Sequence, residues 1–371
     1  MRFLLLLLAT LPAAAQSPPW YGVLSSGHVD QRFCYLSGNW VMGVNLEEEG
    51  LVPSDIMALG VFDALYPAGS RILRPVGAQW DFIGVSAGQP LYHFPPTSWG
   101  GVWPGFSTCS ASFASYANND PRLAGASARW VGIHLKSVRY RGQGTGRMAT
   151  WTTAFGGTPV VWMSSHEGGL TAADTFWLGT GGHAHPSLGF SSTGLYAVNY
   201  DASGFLGPGA TNPVRSPERT FYYAAGTYAI WQATHFAAAE WFADHLMSEA
   251  ADPDGDGLDN LTEYAHGLHP RLPDSGKLTN GTAPGLPVLT RSTGGALQLL
   301  FRRRRAETAP QINFEVMTSA SLATTDWSVV PLTGATITTV DAAWESVSVP
   351  LPATDRSFYT VRTTLLTAPV Y

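Results

Sequence analysis

From Trp20 to about Trp231 the chain alternates short apolar or aromatic runs with clusters of Gly, Pro, Ser and Asn. Trp40-Val41-Met42-Gly43-Val44, Trp130-Val131-Gly132-Ile133-His134-Leu135, Val160-Val161-Trp162-Met163 and Leu195-Tyr196-Ala197-Val198 are examples. Runs of this length, rich in β-branched and aromatic residues and bounded by turn formers, read as strands, and their density predicts a β-sandwich-like N-terminal domain. Residues 53–66 follow neither period and read as a short helix or a loop. At His235 the pattern changes. Helix formers fill 235–247, and Phe236, Ala239, Trp241, Phe242 and Leu246 recur at roughly helical spacing, which predicts one helix there. After Pro270 a Gly-, Pro- and Asn-rich linker runs to about Pro287. The remainder returns to strand patterns around 297–301, 312–316, 327–330, 344–349 and 358–362, several with period two, as expected of a small antiparallel β domain. The expected organisation is therefore 16–232 sandwich-like, 233–270 helix and acidic loop, 271–287 linker, and 288–371 C-terminal β domain: a mostly β protein.

Composition narrows the class. With 45% apolar residues the 371-residue chain is too hydrophobic for disorder, and 13 Trp, 14 Tyr and 17 Phe suit aromatic strands. The 21 basic and 27 acidic residues give a net charge of −6, with no positive footprint for a phosphate backbone, so nucleic acid is not an expected partner. Arg2, the apolar run 3–9 and Ala13-Ala14-Ala15 form the n-region, core and small-residue cleavage site of a signal peptide over 1–15, cut near Ala15. No later stretch has the apolar length of a membrane span. The expectation is a secreted or extracytoplasmic protein. Cys34 and Cys109 are the only cysteines, so an oxidising compartment favours one disulfide, two buried thiols being the alternative.

Residues 252–263 carry the clearest chemistry. Asp252-Pro253-Asp254-Gly255-Asp256-Gly257-Leu258-Asp259-Asn260-Leu261-Thr262-Glu263 fits the calcium loop D-x-[DN]-x-[DN]-G-x5-E at every required position. Ca2+ needs about six to eight oxygens. Asp252, Asp254 and Asp256 can supply carboxylates, the Leu258 carbonyl a further ligand, Asn260 a direct or water-mediated one, and Glu263 two oxygens, while Gly257 permits the turn. Asp259 stands where paired loops carry an apolar residue, so the loop is expected to be a single structural clip. With Tyr264-Ala265, Gly267, Leu268 and Pro270 it resembles the thrombospondin type 3 or dockerin-like calcium segment that precedes a C-terminal β module in exported bacterial proteins. The 297–305 strand and Phe314-Glu315-Val316 with Ser319, Leu322 and Trp327 resemble that module, which implies an accessory or attachment role.

A second centre rests on His183-Ala184-His185. On an extended strand residues two apart share a face, about 6 to 7 Å apart, so two imidazoles can close on one cation. Pro186 cannot donate to a ladder and places the pair at a strand edge or start. His28-Val29-Asp30 offers an imidazole and a carboxylate at the same spacing. The Gly27-His28-Val29-Asp30 opening, Trp80-Asp81-Phe82-Ile83-Gly84 with Gly88-Gln89-Pro90-Leu91-Tyr92, residues 138–151, and Gly182-His183-Ala184-His185 with Phe190 and Gly194-Leu195-Tyr196-Ala197-Val198 together resemble the choice-of-anchor M domain over residues 22–230. That resemblance implies export, a β-rich fold and a metal site, zinc or copper, at His28, His183 and His185.

Other candidates are structural on their residues. Ser164-Ser165-His166-Glu167 reads as a turn, since neighbours on a strand face opposite ways and no nucleophile elbow occurs. Glu47-Glu48-Glu49 before a Gly reads as a solvated turn, His134 as an exposed strand position, and Arg302 to Arg305 as a solvated edge strand. Among the aromatics, Trp99, Trp103, Trp162 and Trp177 lie near Gly-rich loops and are candidates for a sugar-stacking platform, core packing being the alternative. The expected function is a non-catalytic extracytoplasmic or cell-surface binding protein with structural Ca2+ and a His-based transition-metal site. A carbohydrate-binding module and, last, a metal-dependent enzyme are the alternatives.

Overall fold

The structure is a computed structural model that describes residues 20–366 apart from 48–49, 62–70, 99, 110–111, 155, 167, 208–211, 310 and 353–356. The expected signal segment 1–15 lies outside the described residues, as do Glu48, Glu49, Trp99 and Glu167. Strands make up 46% of the described residues and helices 10%, so the protein is mostly β.

The strand Gly27–Leu36 illustrates how alternation builds the N-terminal domain. Val29 and Phe33 enter the core, and Gln31 accepts a hydrogen bond from the buried Tyr223 hydroxyl (2.7 Å). His28, Asp30, Arg32 and Cys34 therefore share the opposite face. Three sheets enclose that core. The five-stranded sheet containing Gly27–Leu36 runs His183–Ala184, Val102–Cys109, Gly27–Leu36, Asn39–Leu46, Gly50–Val52. A second, Pro159–Ser164, Met148–Thr153, Ser187–Phe190, Pro90–Phe94, Arg71–Leu73, is antiparallel throughout. The third has seven strands centred on Gly194–Gly204 and Trp130–Gly142. Phe33, Phe94, Ile133, Met163, Phe190, Tyr200 and Phe221, drawn from all three sheets, meet in one cluster. Cys34 and Cys109 stand in register on parallel neighbouring strands and are disulfide-bonded, with Cα atoms 4.6 Å apart, as expected.

Two expectations about local structure are corrected. Within 53–66 the chain forms the strand Met57–Val61, not a helix or loop; residues 62–66 lie outside the described set. All five strand residues are buried, and a strand covered on both faces carries no alternation to detect. Nor is there one helix over 235–247. The nine-residue helix is Thr227–His235, followed by a 3-10 turn at Ala238–Glu240 and a single turn at Asp244–Met247. Phe236 and Ala243 are extended between them (φ −123° and −96°). On a continuous helix, residues five apart would point about 140° away from each other. The breaks let Phe236, Trp241 and Met247 converge on Ala58, Leu195 and Ala224, and the Trp241 indole donates to the Phe236 carbonyl (3.1 Å).

The C-terminal domain has a four-stranded sheet, Val288–Arg291, Leu297–Arg304, Trp344–Pro350, Thr336–Thr339, and a three-stranded one, Ser328–Val329, Ile312–Ser319, Phe358–Leu365. Both are antiparallel. Leu299, Phe301, Val316, Val347 and Val349 pack between them. The arginine run is not on an edge, because Leu297–Arg304 is paired on both sides. Arg302 and Arg304 lie over the Trp344 ring of the same sheet at 4.2 and 4.4 Å, and Arg304 also covers Tyr264 at 3.9 Å, so Arg304 joins the sheet to the helix Asn260–His266. Desolvation against aromatic faces, rather than solvation, explains their place. Residues 271–287 are held by backbone hydrogen bonds, Thr279 to Leu286 (2.9 Å), Leu286 to Lys277 (2.8 Å) and Gly285 to His266 (3.2 Å). Among the described residues no helix is long and apolar enough to cross a membrane.

Candidate metal centres

The outward face of Gly27–Leu36 carries the histidine centre. His28 pairs with Trp103 and Asp30 with Gly105 on the parallel neighbour Val102–Cys109, whose other side holds the edge strand His183–Ala184 through Ser107. Register thus brings together residues 157 positions apart: His28 Nε2 and His185 Nε2 are separated by 3.1 Å. The ligand nitrogens of His28, His183 and His185 all lie within 4.8 Å of one another. Two nitrogens bound tetrahedrally to one zinc stand roughly 3.3 Å apart, so the spacing fits a shared transition metal. The Asp30 carboxylate is buried beside them, its Oδ1 3.7 Å from His28 Nε2 and without a hydrogen-bond partner.

Two neighbours shape this pocket. Glu47 Oε1 lies 2.7 Å from His28 Nδ1, which holds the ring with Nε2 turned to the other imidazoles. A carboxylate on the far nitrogen is how ligand histidines are usually oriented. The Trp103 ring stacks on His185, centroids 3.8 Å apart and 17° from parallel. Burial above all lowers the His185 pKa, the charges of His28 and His183 adding to it while the Pro104 carbonyl and Asp30 oppose it. The neutral ring is the form that ligates. Gly105 faces the centre, and a Cβ there would sit 2.6 Å from Asp30 Oδ1 and 2.8 Å from His185 Cε1.

The acidic loop folds on its own carboxylates. Asp252 Oδ1 accepts from the backbone of Gly255 (2.8 Å) and Asp256 (3.2 Å), its Oδ2 from Gly257 (2.9 Å), and Asp256 Oδ1 from Leu258 (3.0 Å). Gly257 adopts φ 92°, the left-handed turn that the glycine permits. Ligand oxygens of Asp252, Asp254 and Asp256 lie within 4.8 Å of one another, and so do those of Asp256, Glu263 and Asp274. Asp254 Oδ2, Asn260 Oδ1, both Glu263 oxygens and Asp274 Oδ1 are buried without hydrogen-bond partners. Unpaired buried oxygens are costly unless a cation takes them, and an all-oxygen set of this kind suits Ca2+. Burial, followed by the charges of Asp254, Asp256, Asp274 and Asp252, pushes the Glu263 carboxyl up to about 8. Asp259 caps the helix Asn260–His266, its Oδ1 accepting from the Thr262 backbone at 2.8 Å. The Asn260 amide donates to the Leu246 and Ser248 carbonyls, leaving only its oxygen for an ion.

Elsewhere the chemistry is structural. Ser164 ends the strand Pro159–Ser164, and its Oγ donates to the Phe82 carbonyl (2.7 Å) and accepts from the His166 backbone (3.1 Å). His134 is not an exposed strand position; its ring lies 2.7 Å from both Thr175 Oγ1 and Ser203 Oγ, because the strand Trp130–Gly142 is covered on both sides in its sheet. No described tryptophan is exposed: Trp162 is in the core, Trp177 donates to Asp120 (3.0 Å), and Trp103 stacks on His185. A cleft of about 1290 Å3 lies elsewhere, between Tyr92, Tyr140 and Gln143 of the sandwich and Gln311 and Leu365 of the C-terminal domain. Asp274 carries no signal in the sequence and Glu47 reads there only as part of a solvated turn; each reaches its centre from another segment. No family model matches the chain, and no curated protein does so.

Proposed function

We propose that this chain is an exported, non-catalytic surface or extracytoplasmic binding protein that holds two kinds of metal. Ca2+ serves as a structural clip at Asp252, Asp254, Asp256, Leu258, Asn260 and Glu263, and one zinc or copper ion is held by His28, His183 and His185 with Asp30 beside them. The observation that carries the reading is the convergence of three imidazoles from two remote segments within 4.8 Å, next to a buried, unpaired carboxylate oxygen. A buried carboxylate oxygen left without a partner costs free energy that a cation held beside it would offset. A transition metal there would supply an immobilised Lewis-acidic centre; the chain supplies Glu47 to orient His28 and Trp103 to cover His185. The resemblance to the choice-of-anchor M domain and the leader-like residues 1–15 support the exported setting. The sugar-binding alternative rests on an exposed aromatic platform, and the described tryptophans are buried or half-buried, none of them fully exposed.

Elemental analysis of the purified protein tests this. The expected result is Ca2+ together with one equivalent of zinc or copper, the latter lost and the former kept in a His183→Ala/His185→Ala variant. Calcium alone, unchanged by that substitution, would remove the transition-metal half of the proposal.

A further inference from the structure

We infer that the calcium site reaches beyond its twelve-residue loop, with the Asp274 carboxylate as a ligand delivered by the segment 271–287. This rests on the calcium reading above and extends it to a residue no loop pattern contains.

The argument begins with an imbalance of partners. Glu263 is 0% exposed and neither carboxylate oxygen has a hydrogen-bond partner. Asp274 is 8% exposed, and its Oδ1 is likewise unpaired, while Oδ2 takes the Lys277 ammonium at 2.8 Å. Asp256 completes the group, with ligand oxygens of all three residues within 4.8 Å of one another. A Ca2+ bound at about 2.3–2.6 Å to each oxygen spans roughly 5 Å between opposite ligands, so one ion reaches all three. Lys277 neutralises at most one of these charges, and its side chain is 62% exposed.

The backbone shows why Asp274 is presented so firmly. Asp256 Oδ2 accepts from the N–H groups of both Asp274 and Ser275, each at 2.7 Å. One loop carboxylate thus fixes the start of the following segment and leaves the Asp274 side chain directed at the same oxygens. The ligand class is a hard divalent cation taken by oxygen alone. Bound there, the ion pins 271–287 against the loop; the same segment is tied back to the helix Asn260–His266 by the Gly285 N–H donated to the His266 carbonyl, and runs on into the strand Val288–Arg291.

Calorimetric titration of the full chain with Ca2+ tests the assignment against an Asp274→Asn variant, which keeps the side-chain shape. The expected result is at least tenfold weaker binding in D274N, with circular dichroism in chelator matching the wild type. Equal affinity in the two proteins overturns the assignment and leaves the calcium loop standing. Absence of binding by the wild type overturns both. Should D274N not fold, trypsin cleavage after Lys277 in the wild type decides: Ca2+ is expected to slow it at least tenfold, and a rate indifferent to Ca2+ overturns the inference.

Discussion

Gly105 has no room for a methyl group. Its missing Cβ leaves space that Asp30 Oδ1 and His185 Cε1 approach from two sides, so a side chain there must displace one of the groups around the histidine centre. Gly105→Ala is expected to reduce transition-metal uptake from about one equivalent to near zero, with the calcium content unchanged; elemental analysis of both proteins checks it. His134 carries a different kind of prediction. Burial first, then the charges of Arg215 and Lys136, holds its pKa at about 4 against an ordinary 6.5. Between those values the unfolded chain binds a proton that the folded chain refuses, so this contribution is complete above pH 6.5 and is lost as pH falls toward 4. Urea unfolding at pH 7, 6 and 5 is expected to give a stability slope about one proton shallower in His134→Asn than in the wild type.

The helix Asn260–His266 is short enough to depend on both its ends. Asp259 caps the start, and Gly267 closes it at φ 73°, where a Cβ would also come within 3.2 Å of the Trp344 ring. Gly267→Ala is expected to cost about 1 kcal/mol or more, read from denaturant midpoints in excess Ca2+. This element was legible because its signals are local: a twelve-residue spacing, a cap and a glycine stop. The histidine pair was legible for the same reason, at a period of two. Its surroundings were less so. Glu47 reads as one acid of a solvated turn until the hairpin register is known. Ser37 and Gly38, both at positive φ (49° and 84°), form the two-residue turn between Gly27–Leu36 and Asn39–Leu46. That turn sets Leu36 against Asn39 and Val29 against Leu46, so the next pair outward is His28 with Glu47. Asp274 had no such signal, since its approach depends on hydrogen bonds from Asp256. The strand Met57–Val61 was hidden by burial on both faces, which erases alternation, whereas after His235 the helix formers and roughly helical apolar spacing run straight through the extended Phe236 and Ala243 that break the helix.

At the scale of the whole molecule, one covalent tie joins segments far apart in the chain. The Cys34–Cys109 disulfide closes a separation of 75 residues. Chain-entropy arguments give such a loop up to about 4.5 kcal/mol, so a Cys34→Ser/Cys109→Ser variant is expected to unfold at clearly lower urea, with the same sheet content by circular dichroism. The −6 net charge also takes on a place: several of its carboxylates crowd one buried cluster around Glu263 rather than spreading a field over the surface. The sheet that bears the histidines adds a consequence in time. Its first strand, Gly27–Leu36, finds one neighbour at once across a hairpin, but its other neighbour is Val102–Cys109, and the edge beyond is His183–Ala184. A nascent chain emerging from its N-terminus therefore cannot assemble the three-imidazole pocket until about half of it has been made, and a metal present earlier meets only scattered ligands.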